Sequence, residues 1–150
     1  MARRFRLLCF TTICALAVPH VASATTDENI LLLGVSRAGK HDQRLTKDLS
    51  DHLARSGEQV SPRPTLSTQD RSCTDQECLD QLASREKAQV VLTTQLQENG
   101  TDAYYVVMTL FDAVRHSPLT ERNLCDQCTG ETLTLKLSDT ADKLLKRYRD

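Results

Sequence analysis

The chain has no tryptophan, and phenylalanine and tyrosine together supply only 4% of its 150 residues. Beyond the first two dozen positions the aromatics are Tyr104, Tyr105, Phe111 and Tyr148, so a core must be built mainly from leucine and valine. An excess of basic charge is missing too: 19 Lys and Arg stand against 20 Asp and Glu. A general nucleic-acid binder presents a basic face, and this balance argues against that class. After the N-terminus no apolar run approaches the ~20 residues that a spanning helix needs. Neither Gly-x-Ser-x-Gly nor His-Glu-x-x-His occurs, and His41, His52 and His116 are scattered, so hydrolytic chemistry has no constellation to rest on. The stretch from Ser36 to Lys40 follows an apolar run as a phosphate loop would. It lacks the required glycine spacing, and His41 stands where a Ser or Thr would hold the metal. No internal repeat or low-complexity segment is present, and no cofactor is expected.

What the N-terminus does have is the three-part pattern of a secretory signal peptide. Arg3, Arg4 and Arg6 precede an apolar run from Leu7 to Val18, and Ala22, Ser23 and Ala24 are the small residues a signal peptidase reads. Cleavage is expected after Ala24, which makes residues 1–24 the signal and residues 25–150 a single domain, periplasmic or secreted. Pro19 and His20 cut the run short of membrane length, so no stable membrane insertion is expected once the signal is removed.

Four cysteines follow the signal: Cys73, Cys78, Cys125 and Cys128. An even count in an exported chain reads as disulfides, and four cysteines allow three pairings. Thr74 and Glu77 have the spacing of a capping box. With Thr74 as N-cap, Cys73 and Cys78 would occupy N′ and N4, the positions a hydrophobic staple joins, so a local Cys73–Cys78 bond is expected. Cys125 and Cys128 form the second close pair. Crossed pairing, a four-thiolate zinc site and a redox-active Cys125-x-x-Cys128 are the alternatives. Asp126 beside Cys125 disfavours a thiolate.

The element order can be read from periodicity. Ile30 to Val35 is a continuous apolar run, the mark of a buried strand, and a polar loop is expected from Ser36 to His41. Leu45, Leu49 and Leu53, with Ala54 beside them, give a helix over 42–56 a narrow apolar stripe, ended by Gly57. His52 next to this stripe reads as a hydrogen-bonded structural histidine. Pro62 and Pro64 confine the segment after Gln59 to a sheet edge. A polar loop from Ser67 to Ser72 leads to a helix over 75–87 with Cys78, Leu79, Leu82 and Ala83 inward. Strands are expected over 89–96 and 102–111, joined by a type I′ turn at Asn99-Gly100. The second should be central, since both its faces are largely apolar. After a turn at 115–118, a more polar strand over 119–125 should lie near an edge. Leu133, Leu137, Ala141, Leu144 and Leu145 mark a final helix. The fold class is α/β: a mixed sheet with a β-meander and helices packed on it.

This pattern resembles small exported bacterial domains with a TolB N-terminal-domain-like fold. The likeness covers most of residues 29–146. It is carried by the early strand and helix, the Cys73-x4-Cys78 helix start, a hairpin with Val90, Val91, Leu96, Gly100, Tyr104 or Tyr105, Val106, Leu110, Asp112 and Ala113, and the Cys125-x2-Cys128 opening of the last helix. The resemblance implies a non-enzymatic interaction or assembly module of the bacterial envelope whose partner is another envelope protein. The alternative is an exported thiol–disulfide oxidoreductase using Cys125 and Cys128.

Overall fold

The structure is a computed structural model that describes residues 28–61 and 66–150; the expected signal peptide and Pro62 and Pro64 lie outside these residues. The elements are β1 (Asn29–Arg37), β2 (Lys40–Asp42), α1 (Gln43–Arg55), β3 (Gln59–Ser61), α2 (Thr68–Arg71), α3 (Gln76–Glu86), β4 (Val90–Glu98), β5 (Tyr104–Asp112), β6 (Ser117–Cys125) and α4 (Glu131–Arg149). They form a mixed α/β fold around one sheet in the order β2-β1-β4-β5-β6, with β3 also paired to β1. Parallel strands need a long crossover, and the segment carrying α1, α2 and α3 supplies it between the parallel neighbours β1 and β4. The antiparallel meander β4-β5-β6 makes up the rest. The outer side of β1 is shared by two short strands. β3 pairs parallel with Asn29–Leu31, and β2 pairs antiparallel with Val35–Arg37.

Alternation of side chains in the strands divides the core. On one face, Ile30, Leu32, Val90, Leu92, Val106, Met108 and Leu110 are buried against Leu45, Leu49 and Leu53 of α1 and Leu133, Leu137, Ala141 and Leu144 of α4. On the other, Leu31, Leu33, Val91 and Phe111 pack against Leu66, Leu79, Leu82 and Ala83. Helix α1 is capped by Asp42, whose carboxylate accepts from Leu45 N at 3.0 Å, and is followed by Gly57 at φ +86. Ala54, expected beside the stripe, is exposed. His52 Nε2 meets Asp142 Oδ1 at 2.8 Å and ties α1 to α4.

Four local expectations are corrected. The loop from Ser36 to His41 is a two-residue hairpin into β2, with Ala38 at φ +47 and Gly39 at φ +73. Alanine is no signal for such a turn, so the pattern gave no warning. Asn99-Gly100 is not a two-residue turn: the left-handed residues are Gly100 and Asp102, and Asn99 N donates to Ala103 O at 2.9 Å across a wider loop. The polar segment after Ser67 contains the single turn α2, closed by a capping box between Ser67 and Asp70. Finally, α3 is capped by Asp75, not Thr74: the Asp75 carboxylate accepts from Cys78 N at 2.9 Å. A carboxylate caps at least as well as a threonine hydroxyl, and using it moves the helix start on by one residue. Cys73 and Cys78 are therefore not the N′ and N4 pair of a staple.

Candidate functional site

Cysteines come first, because the sequence concentrates its chemistry there. Cys73 is bonded to Cys78 with Cα atoms 5.8 Å apart, and Cys125 to Cys128 with Cα atoms 5.5 Å apart, separations that suit disulfides. The two pairs belong to the packing clusters on opposite faces of the sheet. Neither a crossed pairing nor a four-thiolate site fits that separation, and among the described residues no group of three or more His, Cys, Asp or Glu is placed to hold a metal. A redox-active pair must offer a sulfur to a partner's disulfide. Cys125 and Cys128 are only 5% and 4% exposed. Cys128 N donates to Asp102 O at 2.6 Å, which fastens the 99–103 loop to the start of α4. This geometry is that of a staple.

A second feature sits at the β1–β2 corner and was not legible as a site. The β1–β4 register shifts between Leu32 and Gly34, so β1 carries a bulge there. Gly34 has φ +107, and a Cβ on it would lie 2.4 Å from His41 Cε1 and 2.9 Å from Thr46 Oγ1. The imidazole therefore rests directly on bare backbone. Arg71 of α2 reaches the same place: its Nη1 is 3.1 Å from His41 Nε2 and donates to Leu33 O at 3.3 Å. A guanidinium has no acceptor, so His41 Nε2 must offer its lone pair, and the ring is the neutral Nδ1–H tautomer. Burial holds the His41 pKa below its ordinary 6.5, the Arg71 charge adds to the depression, and Asp42 opposes it. Beside this pair opens a groove of about 620 Å³, lined among others by Ser36, His41, Arg71, Thr74, Thr93 and Gln95.

The third feature is the face onto which that groove opens. Helices α1 and α4 cover one side of the sheet, but α2 and α3 cover only one end of the other. Beyond Val91 and Phe111 that side carries Thr93 and Gln95 of β4, Tyr105, Val107 and Thr109 of β5, and Thr120, Arg122 and Leu124 of β6. Tyr105, Val107 and Thr109 are half-buried, whereas Thr120, Arg122 and Leu124 are exposed. The Arg122 guanidinium lies 3.9 Å from the Tyr105 ring centroid, a cation–π contact, and Thr109 and Thr120 hydroxyls meet at 3.0 Å. Part of a sequence signal for this surface was there: on this face β4 passes from Val91 to Thr93 and Gln95, and β6 carries Thr120 and Arg122. Sequence reasoning did not single out Tyr105 with Arg122, or His41 with Arg71.

No family model matches the chain, and no curated protein matches it. Among solved structures, the LpoB C-terminal domain from Salmonella enterica is similar at 16% identity and a TM-score of 0.43, over 71% of this chain and 87% of that one. The PelC dodecamer from Paraburkholderia phytofirmans is similar at 15% identity and 0.42, over 79% and 85%. The LpoB C-terminal domain from Escherichia coli is similar at 15% identity and 0.40, over 70% and 87%. None of these likenesses assigns an activity or a partner to this chain.

Proposed function

We propose that residues 25–150 act as an exported, disulfide-stapled interaction or assembly module of the bacterial envelope, of the TolB N-terminal-domain-like kind, without enzymatic activity. The observation that carries this reading is the half of the sheet that no helix among the described residues covers. A sheet buries one face against helices and must cover, solvate or lend out the other. Here the lendable part includes Tyr105, Val107 and Leu124, with Leu124 46% exposed. The N-terminal signal pattern and the paired cysteines support export to the periplasm or beyond. Among the described residues no helix is long and apolar enough to cross a membrane.

The test is site-specific crosslinking in the envelope. A photo-reactive amino acid at Val107, on the open face, should give an adduct of one defined mass. The same group at Leu135, which is 66% exposed on the outer side of α4, should give none. An adduct at Leu135 alone, or at neither position, would sink this assignment.

A further inference from the structure

The sheet has two unlike edges. On one side β1 is bordered by β2 and β3, each three residues long. On the other, β6 runs nine residues and is paired with β5 at every one of them, with no register shift. Proteins ordinarily blunt such an edge with bulges, prolines, inward charges or lysines. β6 has no lysine, and its one proline, Pro118, is near the start. Of its two charged side chains, Glu121 is one inward charge, on the helix-covered face, and Arg122 lies on the open face. Glu121 pairs with Arg147 of α4 at 2.5 Å, and Arg122 lies over Tyr105. Arg122 has no carboxylate partner among the described residues, and no carboxylate stands on the described strand residues of its face beyond Phe111.

We propose that β6 accepts an extended segment of a partner protein as an added strand. The segment is recognised by a carboxylate set against Arg122 and an apolar side chain set against Leu124. The inference rests on the interaction reading above and names the chemistry of the partner. Main-chain pairing at an edge gives such a complex its affinity, and alternate side chains give it specificity. Arg122 and Leu124 are two apart on the open face, so the incoming segment must carry acid-x-apolar, in either direction. Glu121 on the opposite face is already neutralised and calls for no charge.

Charge also argues against a second copy of this chain. Antiparallel pairing of two β6 strands with full overlap centres on Glu121 and sets it against its own copy. One step toward Cys125 sets Arg122 against Arg122, and one step the other way spends a pair on Pro118. Like charges directly opposite destabilise a sheet.

The test uses the chain from residue 25 and two fluorescent ten-residue Thr/Val peptides that differ at one central position, Asp-x-Val in one and Lys-x-Val in the other. Anisotropy should show the Asp peptide binding about tenfold tighter, and hydrogen exchange should slow over 117–125. Arg122→Glu should invert the preference while keeping the melting curve, and Arg44→Glu, on exposed α1 surface, should leave it alone. The proposal falls if the Asp peptide at millimolar concentration protects no β6 amide, if protection appears elsewhere, or if the preference survives Arg122→Glu. A dimer in sedimentation that Arg122→Glu abolishes would overturn it in favour of a second copy. If crosslinking at Val107 captures a partner that leaves β6 amides unprotected, the edge proposal fails while the interaction reading stands.

Discussion

Gly34→Ala is the single methyl addition from which the β1–β2 corner predicts the largest effect. Two costs add. At φ +107 an L side chain is strained, which is worth about 1–3 kcal/mol. The new Cβ would also overlap His41 at 2.4 Å and Thr46 Oγ1 at 2.9 Å. Neither neighbour is free to step back. Thr46 Oγ1 accepts from Val35 N at 2.9 Å and donates to Asp42 O at 2.7 Å, while His41 is held by Arg71. Overpacking of this kind costs about 1–3 kcal/mol. The sum centres near 4 kcal/mol, a large part of the roughly 5–15 kcal/mol that holds a domain folded. With a urea m-value of about 2 kcal/mol/M, the unfolding midpoint should drop by about 2 M. A double-mutant cycle separates the terms. In a His41→Ala background the ring overlap is gone, so Gly34→Ala should cost at least about 1 kcal/mol less than it does alone. A midpoint within experimental error of wild type would refute the bulge geometry. A full-sized penalty with no coupling to His41 would refute the contact between ring and backbone.

Other outcomes follow from the same structure. The folded state prefers neutral His41, so as pH falls the unfolded chain takes up that proton first; the stability this ring contributes is intact above about pH 6.5 and is lost as pH falls from there through the depressed folded pKa. His41→Gln should flatten that part of a stability-versus-pH curve relative to wild type, and parallel curves would refute it. Replacing Asp75 by Ala should cost about 1 kcal/mol in urea titration while Thr74→Ala costs a few tenths; the reverse order would restore Thr74 as the cap. Removing either cysteine pair by serine substitution should cost roughly 2 kcal/mol by loop-closure entropy, and wild type should show no insulin-reduction activity that Cys125→Ser with Cys128→Ser abolishes. Thr94 is 1% exposed and its hydroxyl has no partner among the described residues, so Thr94→Val should raise stability by about 1 kcal/mol, read as a higher urea midpoint with unchanged slope.

Long periodic elements were legible and short irregular ones were not. Leu45, Leu49 and Leu53 recur at one helical face, and Leu133 to Leu145 do the same; both became helices with those residues buried. The order and edge position of the meander could be read from the β-branched runs and from the rising polarity of the 119–125 segment. The bulge could not. Ile30 to Val35 is apolar throughout, so the run shows no alternation whose phase could slip, and Gly34 looks like any small residue in a strand. Once the bulge is unseen, His41 and Arg71 stay 30 positions apart with nothing to join them. The α2 turn was equally invisible, since a four-residue helix has no period to detect. The cysteine pairs were readable as local, but the reason offered for the first, a staple across a Thr74 cap, failed because Asp75 competes for the same orphan N–H groups.

The placement of the second cysteine pair bears on the edge strand. A strand with a neighbour on one side only should fray, because half its backbone groups gain nothing from staying extended. β6 is held at three points instead. At its start, Asp112 Oδ1 accepts from Val114 N at 2.8 Å and Arg115 N at 2.9 Å, which fixes the turn that feeds it. In the middle, Glu121 is tied to Arg147 of α4. At its end, Cys125 is the last strand residue and is bonded to Cys128, just before the helix that packs beneath the same strand. An edge ordered in advance lowers the conformational cost of adding a strand to it. The bond lies where β6, which has no strand on its outer side among the described residues, gives way to the turn before α4. Serine at Cys125 and Cys128 should therefore speed hydrogen exchange in the last residues of β6 more than in β4 or β5. An even acceleration across the sheet would mean that the bond contributes only global stability.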